Sequence, residues 1–159
     1  MAETQNHPPE PTAVDDVRRV RDLTRMKLIL KGIVAREDAA LAVQHGVDAV
    51  IVSNHGGHED ASARGTIECL PEVLAGAAGK IPVYIDGGFR GGADVFKALA
   101  LGATAVGIGR PHIWGLAAFG QEGVETVIAL LRRELQVIMA QTGAASIAKI
   151  RRDSLISRT

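Results

Sequence analysis

One pattern constrains this chain more than any other. A short apolar run ends in glycine and polar residues, a helix-patterned stretch follows, and the unit is written four times. The apolar runs are Lys27–Leu30, Ala49–Val52, Val83–Ile85 and Ala105–Ile108, with starts 22, 34 and 22 residues apart. That is the spacing of successive β/α units, because a parallel neighbour needs a crossover whereas a hairpin needs only a short turn. The runs do not alternate between apolar and polar positions, as expected of strands buried on both faces of a parallel sheet. The predicted class is therefore α/β, with four parallel β/α units.

The intervening helices are legible from their caps and faces. Asp15–Leu23 opens on acidic residues, which suit the positive end of a helix dipole, and sets Val17, Val20 and Leu23 on one face. Glu37–His45 stops at Gly46, Ile67–Ala78 at Gly79, Asp94–Leu101 at Gly102, and a long helix over Glu122–Gln141 at Gly143. Residues 1–11, with three prolines, read as a flexible lead-in, 12–150 as the folded domain and 151–159 as a tail.

Composition narrows the function. Eighteen Lys and Arg balance eighteen Asp and Glu, so no net charge draws the chain to nucleic acid or to an anionic membrane. No apolar run is long enough to span a bilayer, and the start lacks a signal-peptide stretch, which points to a cytoplasmic protein. Cys69 is the single cysteine and reads as a small core hydrophobe. Neither it nor the spacing of the five histidines suggests a metal site.

The chemistry gathers at the strand ends. Lys31, then Ser53, Asn54 and His55, then Asp86, then Gly109 and Arg110 directly follow their strands. In a parallel sheet every strand delivers its C-terminal loop to the same rim, where ligands bind. Asp86-Gly87-Gly88-Phe89-Arg90 precedes a helix, so its glycines let backbone N–H groups approach an anion beside Arg90 and a helix N-terminus. Gly107-Ile108-Gly109-Arg110 repeats the arrangement after the next strand, and adjacent loops of this kind make a phosphate site. The glycines of the first loop lack the spacing of a dinucleotide fingerprint. His55, in Ser53-Asn-His-Gly-Gly57, is an imidazole able to take a proton near neutral pH, with two glycines leaving room beside it.

Together these residues resemble a family. Leu30-Lys-Gly-Ile33, Val52-Ser-Asn-His-Gly-Gly57, Asp86-Gly-Gly-Phe-Arg90, Lys97-Ala-Leu-Ala-Leu-Gly-Ala103 and Ile108-Gly-Arg-Pro111 with Trp114-Gly-Leu116 are similar to the FMN-dependent 2-hydroxy-acid dehydrogenases and oxidases. That family includes glycolate oxidase, lactate oxidase, mandelate dehydrogenase and flavocytochrome b2. The resemblance implies the C-terminal half of a (β/α)8 barrel, FMN as cofactor, and oxidation of a small 2-hydroxy acid to the 2-keto acid. It implies that Lys31 lies near flavin N1, that Ser53 contacts the flavin and that His55 is the base. Asp86, Gly87, Gly88, Phe89 and Arg90, with Gly109 and Arg110, correspond to the ribityl and phosphate site.

This chain departs from the family's pattern in three ways. His58 stands where the family usually carries an arginine that clamps the substrate carboxylate, and an imidazole cannot form the bidentate pair of a guanidinium. Arg64, in the same loop, is the alternative guanidinium. Gly91 replaces an arginine that often follows Arg90. Finally, half a barrel leaves apolar inner faces and two sheet edges open, which implies a fragment, or pairing with a second copy or a complementary half-barrel. The alternative function is a non-catalytic remnant that retains only FMN or phosphate binding. A phosphate-binding barrel enzyme that works without flavin is a third reading.

Overall fold

A computed structural model describes residues 13–58 and 62–156. The expected lead-in lies outside the described residues, as does His7. Four strands, β1 (Ile29–Lys31), β2 (Ala49–Val52), β3 (Val83–Ile85) and β4 (Ala105–Val106), form one parallel sheet in the order β1-β2-β3-β4. Consecutive neighbours with no crossover in strand order are the topology of a barrel segment; a doubly wound sheet reverses its order at a switch point.

The first strand is shifted from its expected place, running to Lys31 instead of stopping at Leu30. Its register with β2 (Ile29 to Ala49, Leu30 to Val50, Lys31 to Ile51) carries the lysine into the ladder at the rim. The fourth is shorter than expected: Gly107 still donates its N–H to the Ile85 carbonyl at 2.8 Å, and Ile108 and Gly109 beyond it form the rim.

Helices α1 (Ala13–Leu23), α2 (Arg36–Gln44), α3 (Thr66–Ala77) and α4 (Gly92–Leu101) fall within a few residues of their expected limits. Their apolar sides close over Val50, Val52 and Ile85 of the strands, which are fully buried with Leu70 and Val73 of α3, and Cys69 lies in this core. The central strands are buried, whereas Lys31 and Ile29 of β1 and Ala105 of β4 are exposed. The sheet thus ends in two uncovered edges. Apolar cavities flank both: one by β1 is lined by Val14, Val17, Leu30, Ile33 and Leu41, the other by β4 includes Val106, Ile128, Leu131 and Leu135.

The last helical stretch, α5 (Arg110–Gln141), is two helices joined at a kink at Phe119 and Gly120; the second matches the Glu122–Gln141 helix read from the sequence, and the first, from Arg110, was not expected. Pro111, Gly115 and Gly120 read locally as breakers. In the fold, Pro111 occupies the first turn, where its missing N–H has no helical partner to lose. Gly120, at φ 61°, turns the chain so that the two segments of α5 cross. They touch backbone to backbone at Gly115, where a Cβ would stand 2.5 Å from the Gly123 carbonyl oxygen.

The segment expected to be a tail is anchored as far as Leu155. Residues Arg152–Ser154 form a 3₁₀ turn, and Ile150 and Leu155 join a second apolar cluster with Phe96, Leu99 and Leu135. Their burial against α4 and α5 is not visible in a short polar stretch read on its own.

Candidate active site

The eleven residues singled out in the sequence line one cavity of about 440 Å³ at the C-terminal rim of the sheet: Lys31, Ser53, His55, His58, Asp86, Gly87, Gly88, Phe89, Arg90, Gly109 and Arg110. That volume lies within the roughly 300–1,000 Å³ usual for small-molecule sites. Gly56, Gly107, Ile108 and Ile113 complete the lining. In a chain with no net charge, this cavity collects a lysine, two arginines and two histidines against one carboxylate, Asp86.

Ser53 organises the floor. It is 1% exposed, and its Oγ accepts the Lys31 ammonium at 2.8 Å and the His55 backbone N–H at 3.3 Å. Lys31 also stands 3.3 Å from Asp86 Oδ2, so β1, β2 and β3 are joined across their ends by one polar chain. His55 has φ +52°, a left-handed conformation that side chains rarely adopt and that costs about 1–2 kcal/mol. The N–H of Gly57 donating to the Asn54 carbonyl at 2.9 Å holds this turn. The imidazole lies against Gly32: a Cβ there would meet His55 Cε1 at 2.9 Å. Gly32 therefore serves the site by having no side chain.

The two glycine loops differ in a way their sequences do not show. At the start of α4 the backbone N–H groups of Arg90 and Gly91 both donate to Asp94 Oδ2, at 3.0 and 3.1 Å, and that of Gly92 donates to Glu134 Oε2 at 2.7 Å. The expectation that this helix N-terminus would face an anion is therefore corrected: protein carboxylates already occupy it. The start of α5 is different. Its N-cap is Gly109, no side chain caps it, and nothing would obstruct a Cβ at Gly109. The open helix N-terminus on the cavity belongs to β4's loop. Arg110 extends from it toward His55–Gly57, its Nη2 3.5 Å from the Gly56 carbonyl.

Arg64 does not reach the cavity. Its guanidinium makes a two-point pair with Glu72, at 2.5 and 3.3 Å, and donates to the Glu68 carbonyl at 3.2 Å. This pair holds the Glu72 carboxyl below its usual range and raises Arg64 further above neutrality. Among the described residues of 58–65, His58 is the one that lines the cavity.

Sequence reading missed several residues that support the site. Thr66 Oγ1 donates to the Gly87 carbonyl at 3.1 Å and pins the β3 loop to α3. Glu134 reaches Gly92 from 42 residues away, and Trp114 lies under Arg90. Only Trp114 left a signal, as part of the Ile108–Leu116 motif. Among the described residues, no group of three or more His, Cys, Asp or Glu is placed to hold a metal ion, and no helix is long and apolar enough to cross a membrane.

Comparison with known proteins decides the family: the model of FMN-dependent dehydrogenases matches residues 2–157. The chain belongs to the FMN-dependent dehydrogenase family. Within it, the chain is 49% identical over 139 residues to 2-hydroxyacid oxidase 2 of Mus musculus, which covers 87% of this chain and 39% of the relative. It is 51% identical over 138 residues to the peroxisomal (S)-2-hydroxyacid oxidase of Arabidopsis thaliana, covering 87% and 38%. It superposes with TM-score 0.85 and 41% identity on a soluble mutant of the (S)-mandelate dehydrogenase of Pseudomonas putida, covering 91% of this chain and 41% of that one. The chain thus spans about two fifths of the length of the curated relatives it matches, and its fold is a partial barrel of their type. The peroxisomal relative also shows that the family is not confined to the cytoplasm.

Proposed function

We propose that this chain carries the base and the cofactor-phosphate site of an FMN-dependent enzyme that oxidises a small 2-hydroxy acid to the 2-keto acid. The observation that carries the reading is that Lys31, His55, Asp86, Arg90 and Arg110 line a single cavity on a chain of this family. The cavity fits a phosphate-bearing ring system on structural grounds. An uncapped helix start at Gly109, two arginines, Lys31 and His55 line it together. When bound, FMN supplies the acceptor for the two electrons that leave the substrate.

The protein's own groups have distinct tasks in this reading. Backbone donors at Gly109 and Arg110, the glycines after Asp86, and the guanidinium groups of Arg90 and Arg110 hold the phosphate and ribityl chain. Lys31 places positive charge where negative charge develops on the cofactor ring, and Ser53 holds that ammonium and contacts the ring beside it. The His55 imidazole removes a proton from the substrate. His58 faces the substrate carboxylate.

A second reading has its own support. His58 replaces the clamping arginine, Arg64 is committed to Glu72, and both sheet edges are open. These favour a chain that binds FMN without turning substrate over by itself. The same open edges, each beside an apolar cavity, support pairing with a second copy or a complementary half-barrel. Titrating FMN into the purified chain, then assaying lactate, glycolate and mandelate, separates the readings. Flavin binding with turnover is expected of the enzyme, and flavin binding without turnover of the remnant. No flavin binding, with the sedimentation coefficient of an intact folded species, sinks both.

A further inference from the structure

Arg90 is held in an unusual way for a cation. Its Cζ lies 4.9 Å from the centroid of the Trp114 ring, and Nη1 donates to the Phe89 carbonyl at 2.8 Å. The carboxylate nearest in sequence, Asp94, is occupied by the backbone N–H groups of Arg90 and Gly91. No ion pair involves the Arg90 guanidinium among the described residues. An aromatic face and one carbonyl fix the plane of a guanidinium without neutralising it, and they leave most of its five donors unused. The aromatic partner comes from α5, the helix whose uncapped N-terminus faces the same cavity, so one element supplies both the helix start and the support for Arg90. Trp114 itself is 54% exposed, more than a core role requires.

We propose that Trp114 is a positioning residue that holds Arg90 ready for the cofactor phosphate. The proposal rests on the reading of this cavity as the FMN-phosphate site. Its physical content is preorganisation: a long, rotamer-rich side chain ordered before binding loses less freedom when the phosphate arrives. The indole contributes through Arg90 alone and touches no part of the ligand.

The full chain is tested with FMN, riboflavin and inorganic phosphate. Trp114→Leu removes the aromatic face and should weaken FMN binding about three- to thirty-fold, the span of cation–π contributions from exposed to desolvated sites. Trp114→Phe should recover most of the loss. Riboflavin lacks the phosphate, so its affinity should be the same in the unaltered chain and in Trp114→Leu. Adding Trp114→Leu to Arg90→Ala should cost nothing beyond Arg90→Ala alone, because the indole acts through that guanidinium. Trp114 is the chain's only tryptophan, so inorganic phosphate should also perturb the intrinsic emission, and Arg90→Ala should abolish that response. The emission readout stands even where Trp114→Leu fails to fold. Equal losses for riboflavin and FMN, additivity with Arg90→Ala, or an emission response that survives Arg90→Ala would each overturn the proposal. Weakened FMN binding in Arg90→Ala with full affinity in Trp114→Leu removes this inference and leaves the phosphate site standing. Full affinity in Arg90→Ala removes both.

Discussion

Ser53 Oγ accepts the backbone N–H of His55 at 3.3 Å, tying the imidazole-bearing turn to the end of its own strand. The same oxygen accepts the Lys31 ammonium at 2.8 Å, so one buried hydroxyl orients the two groups assigned to proton removal and charge stabilisation.

Ser53→Ala should therefore act on both groups at once. Losing the hydroxyl that accepts these two part-buried hydrogen bonds costs about 0.5–1.5 kcal/mol, and the left-handed turn at His55 loses part of its support. Denaturant melts should show that loss, and any turnover should fall more than FMN affinity does. A variant with full stability and turnover would remove Ser53 from the site.

His55→Asn removes the base but no phosphate contact. Turnover of a 2-hydroxy acid, in the chain or in its complete assembly, should fall by about 10²–10⁴, the usual contribution of a general base. FMN affinity should stay within about twofold, a difference too small to register as a lost hydrogen bond. An oxidase that survives His55→Asn would refute the proposed mechanism.

His58→Arg should lower KM for a 2-hydroxy acid, because a guanidinium can pair both carboxylate oxygens where an imidazole cannot. Arg64→Ala should leave KM unchanged, since Arg64 is bound to Glu72 away from the cavity. A raised KM in Arg64→Ala would show that the loop rearranges on binding.

Asp48 gives an acid limb to stability. Its carboxylate accepts Lys27 Nζ at 2.9 Å, the Leu28 N–H at 2.8 Å and Arg21 Nη2 at 2.9 Å, and these donors hold it far below the usual carboxylate range. A group depressed in the folded state stabilises it fully above the unfolded value, near 4, and loses that contribution as pH falls toward the folded value. The difference in Tm between the unaltered chain and Asp48→Asn should be constant from pH 7 to about pH 5 and shrink below about pH 4. A constant difference down to pH 2.5 would contradict the assignment.

Gly115→Ala sets two effects against each other. Alanine favours a helix by about 1 kcal/mol over glycine, but here its Cβ would stand 2.5 Å from the Gly123 carbonyl. Overpacking of that kind costs about 1–3 kcal/mol, so a net loss in thermal stability is expected. A gain would mean that the two segments of α5 do not cross as described.

The rim of the site was legible in the sequence because it is a local property repeated four times. A β/α unit places whatever follows its strand at the same edge, so Lys31, Ser53, Asp86 and Gly109 could be assembled there from periodicity alone. Helix limits at Gly46 and Gly102 were legible for the same reason, since a glycine C-cap acts within one turn.

What tertiary structure alone decided was which polar groups remain available once the chain is packed. Asp86–Arg90 and Gly107–Arg110 read alike, yet Glu134 arrives from another helix and, with Asp94, occupies the first loop's helix start while the second stays open. Arg64 and His58 read as rivals for one anion until Glu72, on α3, took the guanidinium. The extra helix from Arg110, which sets Trp114 against Arg90, packs through Gly115 on Gly123 of the helix beyond the kink. Each outcome is a contact between residues distant in sequence or on different elements. Spacing along the chain cannot report such a contact, because it is set by where packed helices bring their side chains.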